Sequence, residues 1–199
     1  SVSTLAELAA DLGEALLSHL DGLPAGRRSP FSLGGWSMGG VLALEMALQL
    51  RRQGMLGVDA VVLIDRPAPM GGVQLGSVAT PEDTLVSYAR DLTAYGGGLP
   101  DAAALRLGAR LDGVAPPRAM LDALQATEAL PTELGLETFE GMVAVYERNL
   151  RALAAYRPHL DNAEALALTL HLLRATSTNE HLAAYAGHAR VDFGWGACG

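Results

Sequence analysis

Gly35-Trp36-Ser37-Met38-Gly39, inside the stretch SLGGWSMGGVLALEMALQL (residues 32–50), constrains this chain more than any other feature. A serine with glycine two positions before and after it fits the G-x-S-x-G pattern of a nucleophile elbow, a sharp turn from a strand into a helix. Such a turn forces strained backbone angles on the serine and lifts its hydroxyl clear of the sheet edge. Side chains at the two flanking positions would collide there, so glycine is expected at both Gly35 and Gly39 for steric reasons. Gly34 and Gly40 are expected to add clearance where the helix packs on neighbouring strands.

The pattern alone is weak, and its surroundings decide its meaning. FSLGGW (31–36) is short, apolar and bounded by Pro30, which predicts a buried parallel strand. Residues 39–53 follow with Leu42, Met46 and Leu50 on one helical stripe, and Gly54 closes that helix. VDAVVLID (58–65) reads as a second buried strand, rich in β-branched residues. Strand, helix and strand in this order make a βαβ unit with a parallel sheet. A third strand is predicted within 165–175, and a helix over 4–20 carries leucines at 5, 8, 12, 16 and 20.

Between the second and third strands lie about ninety residues of helical pattern. Helices are predicted over 81–94, 101–111 and 117–129, with a longer one over about 132–156. Thr80-Pro81-Glu82-Asp83 supplies a start signal for the first of them. Phe139, Met142, Val143, Tyr146, Leu150 and Leu153 share one stripe of the long helix. That stripe either packs on neighbouring helices or walls an apolar chamber. A helical block placed between two strands of a sheet reads as a lid over the sheet's carboxyl edge. The expected organisation is a core over 1–70, a lid over 71–160 and a return to the core over 161–199.

Within this frame Ser37 is the candidate nucleophile. The turn puts the Met38 N–H at the helix start, where it can donate to a developing oxyanion with the helix dipole behind it. The Met38 and Trp36 side chains can equally be packing residues. A serine nucleophile needs a base, and the base an orienting carboxylate. Asp65 ends the second strand at the same sheet edge and is the candidate acid; its alternatives are a helix cap or an ion pair with Arg66.

Composition narrows the partners. A net charge of −8 without a basic stripe argues against nucleic acid. All fourteen basic residues are arginine, which removes any lysine nucleophile or Schiff base. The single Cys198 leaves no internal disulfide and no cysteine-rich metal site, and no metal is expected. No apolar run approaches the length that spans a bilayer, so no membrane and a cytoplasmic location are expected. Residues 5–20 carry Glu7, Asp11 and Glu14 and read as an amphipathic helix rather than a signal peptide.

With these residues placed, the chain resembles the thioesterase domains that end nonribosomal peptide synthetases and polyketide synthases, which are α/β-hydrolases. SPFSLGGWSMGGVLALEMALQLRRQG is similar to their signature stretch, including its Gly-Trp-Ser and Ala-x-Glu, and AVVLIDRPAP to their acid-bearing strand. Asn149, Ala152, Tyr156 and Pro158 match an Asn-x-x-Ala-x-x-x-Tyr-x-Pro segment, and LHLLRAT followed by DFGWG resembles the next strand and the segment after it. The resemblance implies an α/β-hydrolase with a mainly parallel sheet and a large helical lid inserted between two strands. It implies no bound cofactor; an acyl, peptidyl or polyketidyl thioester would arrive on the phosphopantetheine arm of a carrier protein domain in the same polypeptide. Release would go through an acyl-O-serine intermediate, by hydrolysis or macrocyclisation.

Two parts of the family pattern have no counterpart here. The turn giving a second oxyanion N–H is expected before Ser1, and the catalytic histidine beyond Gly199, so the chain reads as a fragment lacking both ends of its domain. His188 is the fallback base; His171 reads as a core residue within its strand, His181 as a loop residue, and His19 and His159 lie elsewhere. A free-standing editing thioesterase would share every motif. A soluble esterase or lipase fits the elbow but not the placement of Asp65, and a module that only docks a carrier would need Ser37 to be unreactive.

Overall fold

Thr4 opens the first helix with a reciprocal cap. Its hydroxyl accepts from the Glu7 N–H (3.1 Å) and its own N–H donates to the Glu7 carboxylate (3.0 Å). Helix α1 therefore starts at Leu5 and runs to Asp21. In the computed structural model, described for residues 4–22, 30–54, 57–65, 68, 81–93, 116–158, 168–175 and 195, there follow β1 (Phe31–Trp36), α2 (Met38–Arg52) and β2 (Val58–Ile64). Then come α3 (Pro81–Thr93), α4 (Pro116–Ala126), α5 (Leu136–Ala155) and β3 (Thr169–Leu173).

The described strands form one parallel sheet in the order β1-β2-β3, with Trp36 opposite Ile64 and Ile64 opposite Leu173. Helix α2 is the crossover and packs on both β1 and β2. Leu44, Leu48, Val58, Val61 and Leu63 form its core, which Trp195 and Leu168 extend. The expectation of fully buried strands holds best for the central β2. Strands β1 and β3 instead alternate, with Ser32, Gly34, Trp36, Thr169, His171 and Leu173 on the exposed positions. His171, read from sequence as a core residue, is therefore exposed.

Of the leucine stripe expected on α1, Leu5 is buried and Leu16 packs against the first unit's core. Leu5, Ala9 and Gly13 are buried against α2, while Leu12 is 41% exposed. Small residues let two helix axes approach, and a Cβ on Gly13 would already touch Leu50 at 4.0 Å. Helix α2 ends as expected, with Gly54 at φ 82° and its N–H on the Arg51 carbonyl (2.9 Å).

Contacts divide the chain into two compact units, residues 1–75 with 151–199, and residues 76–150. The second unit has its own core of Leu85, Tyr88, Met120, Leu121, Leu124 and the fully buried Phe139. Met142, Val143 and Tyr146 pack against that core, and the Tyr146 hydroxyl donates to Asp91 (2.7 Å) and lies 3.0 Å from Ser87 Oγ. Phe139, Met142, Val143 and Tyr146 of the long stripe thus pack within the second unit, and Leu153 belongs to a separate cluster in the first unit. Helix α4 ends three residues short of its predicted end because Glu128 takes φ 58° and both the Ala129 and Leu130 N–H groups turn back onto the Leu124 carbonyl. Gln125 then donates to the carbonyls of Pro131, Thr132 and Leu134, holding that segment as a loop and delaying α5 to Leu136. The predicted helix over 101–111 and the start signal at Thr80 lie outside the described residues. Among the described residues no helix is long and apolar enough to cross a membrane.

Candidate active site

Ser37 is the first residue past β1. Its N–H still reaches the Ile64 carbonyl of β2 (3.0 Å), so the ladder holds it in place before the chain turns. The turn gives it φ 51° and ψ −123°, a region that costs a non-glycine residue about 1–3 kcal/mol. Serine is among the favoured N-cap residues, yet Ser37 sits at the N-cap of α2 without a side-chain cap hydrogen bond. A cap needs an extended backbone there, and these angles aim the hydroxyl elsewhere.

The steric demand on the glycines is divided differently from the sequence expectation. A Cβ on Gly35 would run into the Gly39 carbonyl group and lie 2.6 Å from the Gly40 nitrogen. One on Gly40 would lie 2.9 Å from the Gly35 oxygen and 3.3 Å from Leu63 Cδ2. One on Gly39 would meet nothing within 4 Å. Strand β1 and the first turn of α2 thus approach through Gly35 and Gly40, and Gly39 contributes backbone that Gly35 must clear. Gly35→Ala is expected to cost more than about 3 kcal/mol of stability. Gly39→Ala, at a helical position, is expected to stay within about 1 kcal/mol of the parent. Urea unfolding midpoints measure both, and equal losses would refute this division.

Asp65 repeats the arrangement one strand over. Its N–H donates to the Leu173 carbonyl of β3 (2.7 Å), and the chain then turns with Asp65 at φ 50°. Asp65 Oδ1 accepts from the Ala175 N–H at 3.3 Å. The register sets Trp36, Ile64 and Leu173 side by side, so Ser37 and Asp65 are neighbouring positions on one carboxyl edge. Both are partly buried. The Met38 N–H stands first in α2, where a helix provides no internal acceptor. The Met38 side chain packs against Leu5, Val41, Leu153 and Tyr156, whereas Trp36 is 53% exposed at the strand end. Of the histidines, His19 and His171 are exposed, and among the described residues neither hydrogen-bonds Ser37 or Asp65. His159, His181, His188 and Cys198 lie outside the described residues.

Sequence reasoning missed one buried polar pair. Glu45, 6% exposed in the middle of α2, accepts from the Tyr156 hydroxyl (2.7 Å) and from Gln49 Nε2 (2.8 Å). Arg52 stands 3.8 Å away. Gln49 also donates to the Ala6 carbonyl of α1 (2.9 Å). Burial, then the hydrogen bond and charge of Glu45, push the Tyr156 phenol well above its ordinary pKa, so it remains a donor. The available signal was a glutamate inside an apolar helical run.

A parallel sheet whose βαβ crossover helix begins on a strained serine, with an aspartate at the next strand's end, defines the α/β-hydrolase fold class. The thioesterase-domain profile matches residues 1–192, and the chain belongs to that family. It is similar to a non-reducing polyketide synthase of Gibberella zeae, 34% identical over 113 residues, which cover 55% of this chain and 5% of the relative. A polyketide synthase of Metarhizium anisopliae is 44% identical over 63 residues, 31% of this chain and 3% of that protein. The crystal structure of a four-domain nonribosomal peptide synthetase bound to AMP and glycine matches 98% of this chain and 13% of its own, at 27% identity and a TM-score of 0.72. The chain thus spans a small part of the multidomain proteins it resembles.

Proposed function

We propose that this thioesterase domain releases an acyl, peptidyl or polyketidyl chain from the phosphopantetheine thiol of a carrier domain, through an ester on Ser37. The observation that carries the reading is Ser37 itself, held at φ 51° between strand and helix with a hydroxyl not used as a cap. A histidine outside the described residues takes the hydroxyl proton as Ser37 Oγ attacks the thioester carbonyl, and Asp65 orients that histidine. The Met38 N–H donates to the oxyanion of the tetrahedral intermediate. Collapse breaks the carbon–sulfur bond, the histidine returns its proton to the departing thiolate, and the acyl group remains on Ser37. Water, or a hydroxyl or amine of the acyl chain, then attacks to give a free acid or a macrocycle. The reaction takes place in the cytoplasm.

The multidomain synthases and synthetase among its relatives support the carrier-bound substrate. The reading is tested by mixing the full protein with an acyl-pantetheine thioester and following intact mass. A transient adduct of acyl mass is expected, mapped to the peptide containing Ser37. Steady release of thiol with no adduct on that peptide, even after rapid acid quenching, would refute covalent release.

A further inference from the structure

We infer that Tyr156, seated by Glu45, is a positioning residue that holds the oxyanion-donating N–H of Met38 in register with Ser37. The inference rests on the proposed role of Ser37 and Met38. Helix α2 begins at the elbow, and its first turn has no cap hydrogen bond from Ser37 to fix it. What fixes it instead is packing. The Met38 and Leu42 side chains lie against a cluster of Leu5, Val41, Leu153 and Tyr156, the last two contributed by the end of α5 and the residue after it. Tyr156 is 8% exposed, and its one polar atom is satisfied by Glu45, two turns further along the same helix.

Tyr156 therefore meets α2 in two ways: it belongs to the cluster with Val41 against which Met38 packs, and its hydroxyl donates to Glu45. Glu45 is in turn held from the opposite side, through Gln49, to the Ala6 carbonyl of α1. The cluster braces the first turn of α2, and the hydrogen bonds of Glu45 tie the middle of the same helix to Tyr156 and, through Gln49, to α1. Displacement of an oxyanion donor by a fraction of an ångström weakens transition-state stabilisation while leaving substrate binding intact. Asn149, Ala152, Tyr156 and Pro158, noted from sequence without a role, thereby gain one at Tyr156.

The test uses Tyr156→Phe, which keeps the ring and removes the hydroxyl, in the full protein. Ser37 acylation by a short acyl-pantetheine thioester is measured as a rate constant, normalised to active sites titrated with a fluorophosphonate. Loss of folded protein lowers the titrated amount; loss of positioning lowers the rate constant. Tyr156→Phe is expected to slow acylation about tenfold or more, with KM unchanged. Glu45→Leu is expected to match it, and the double variant to be no slower than either single one. Glu45→Gln, whose amide oxygen still accepts, is expected to recover to within about threefold of the parent. A parental rate constant in Tyr156→Phe, with no adduct in Ser37→Ala, overturns this inference alone. So does a loss confined to KM or to the number of titrated sites. An adduct that persists in Ser37→Ala overturns the underlying functional reading and this inference with it.

Discussion

Replacing Ser37 by alanine is expected to abolish acyl-enzyme formation and to lower thioester turnover by at least about four orders of magnitude. Alanine keeps the Cβ and removes only the oxygen that attacks. The backbone at φ 51° is already strained for any side chain, so the exchange adds no strain. The Ser37 hydroxyl makes no cap hydrogen bond, so stability should remain within about 1 kcal/mol of the parent. Intact mass after incubation with an acyl-pantetheine thioester, together with a urea unfolding curve, separates chemistry from folding. An acyl adduct on a well-folded alanine variant would transfer the nucleophile's role to another residue.

Asp65→Asn is expected to lower turnover by about three to four orders of magnitude, because the amide favours the wrong tautomer of the histidine that Asp65 is proposed to orient. Little stability should be lost. Asparagine tolerates a positive φ as aspartate does, and its oxygen can still accept from the Ala175 N–H at 3.3 Å. Asp65→Ala should lose comparable activity and, in addition, about 1 kcal/mol, since alanine pays more for φ 50°. Steady-state turnover and thermal unfolding of the two variants test this together. Turnover within about threefold of the parent in Asp65→Asn would make Asp65 a turn-forming carboxylate without a part in the reaction.

The elements nearest the elbow were legible because their signals are local. FSLGGW became a strand at its predicted bounds, and the helix after it ended at Gly54, because apolar runs and glycine act within a few residues. The G-x-S-x-G spacing likewise encodes a turn that only certain residues can make, and Ser37 takes the strained conformation it implies. Features that depend on partners distant in sequence were not legible. Leucine spacing marked the packed side of α1 at Leu5 and Leu16, but that Ala9 and Gly13 join it while Leu12 stays exposed was decided by the close approach to α2. Glycine was expected at both flanks of Ser37, but only the folded strand and helix reveal that Gly35 and Gly40 are the points of approach. The stripe on α5 was apolar from its period alone; that Phe139 is buried among Leu121, Leu124 and Tyr88 while Leu153 joins a different cluster was decided by packing. The Glu45–Tyr156 bond joins residues 111 positions apart, and no periodicity within α2 could have named its partner. Sequence by itself determined the turn and its strain, because sterics and hydrophobic period are properties of neighbouring residues. Tertiary structure alone decided which surfaces meet and which buried polar groups satisfy one another, because those are settled by strands and helices brought together across the whole chain.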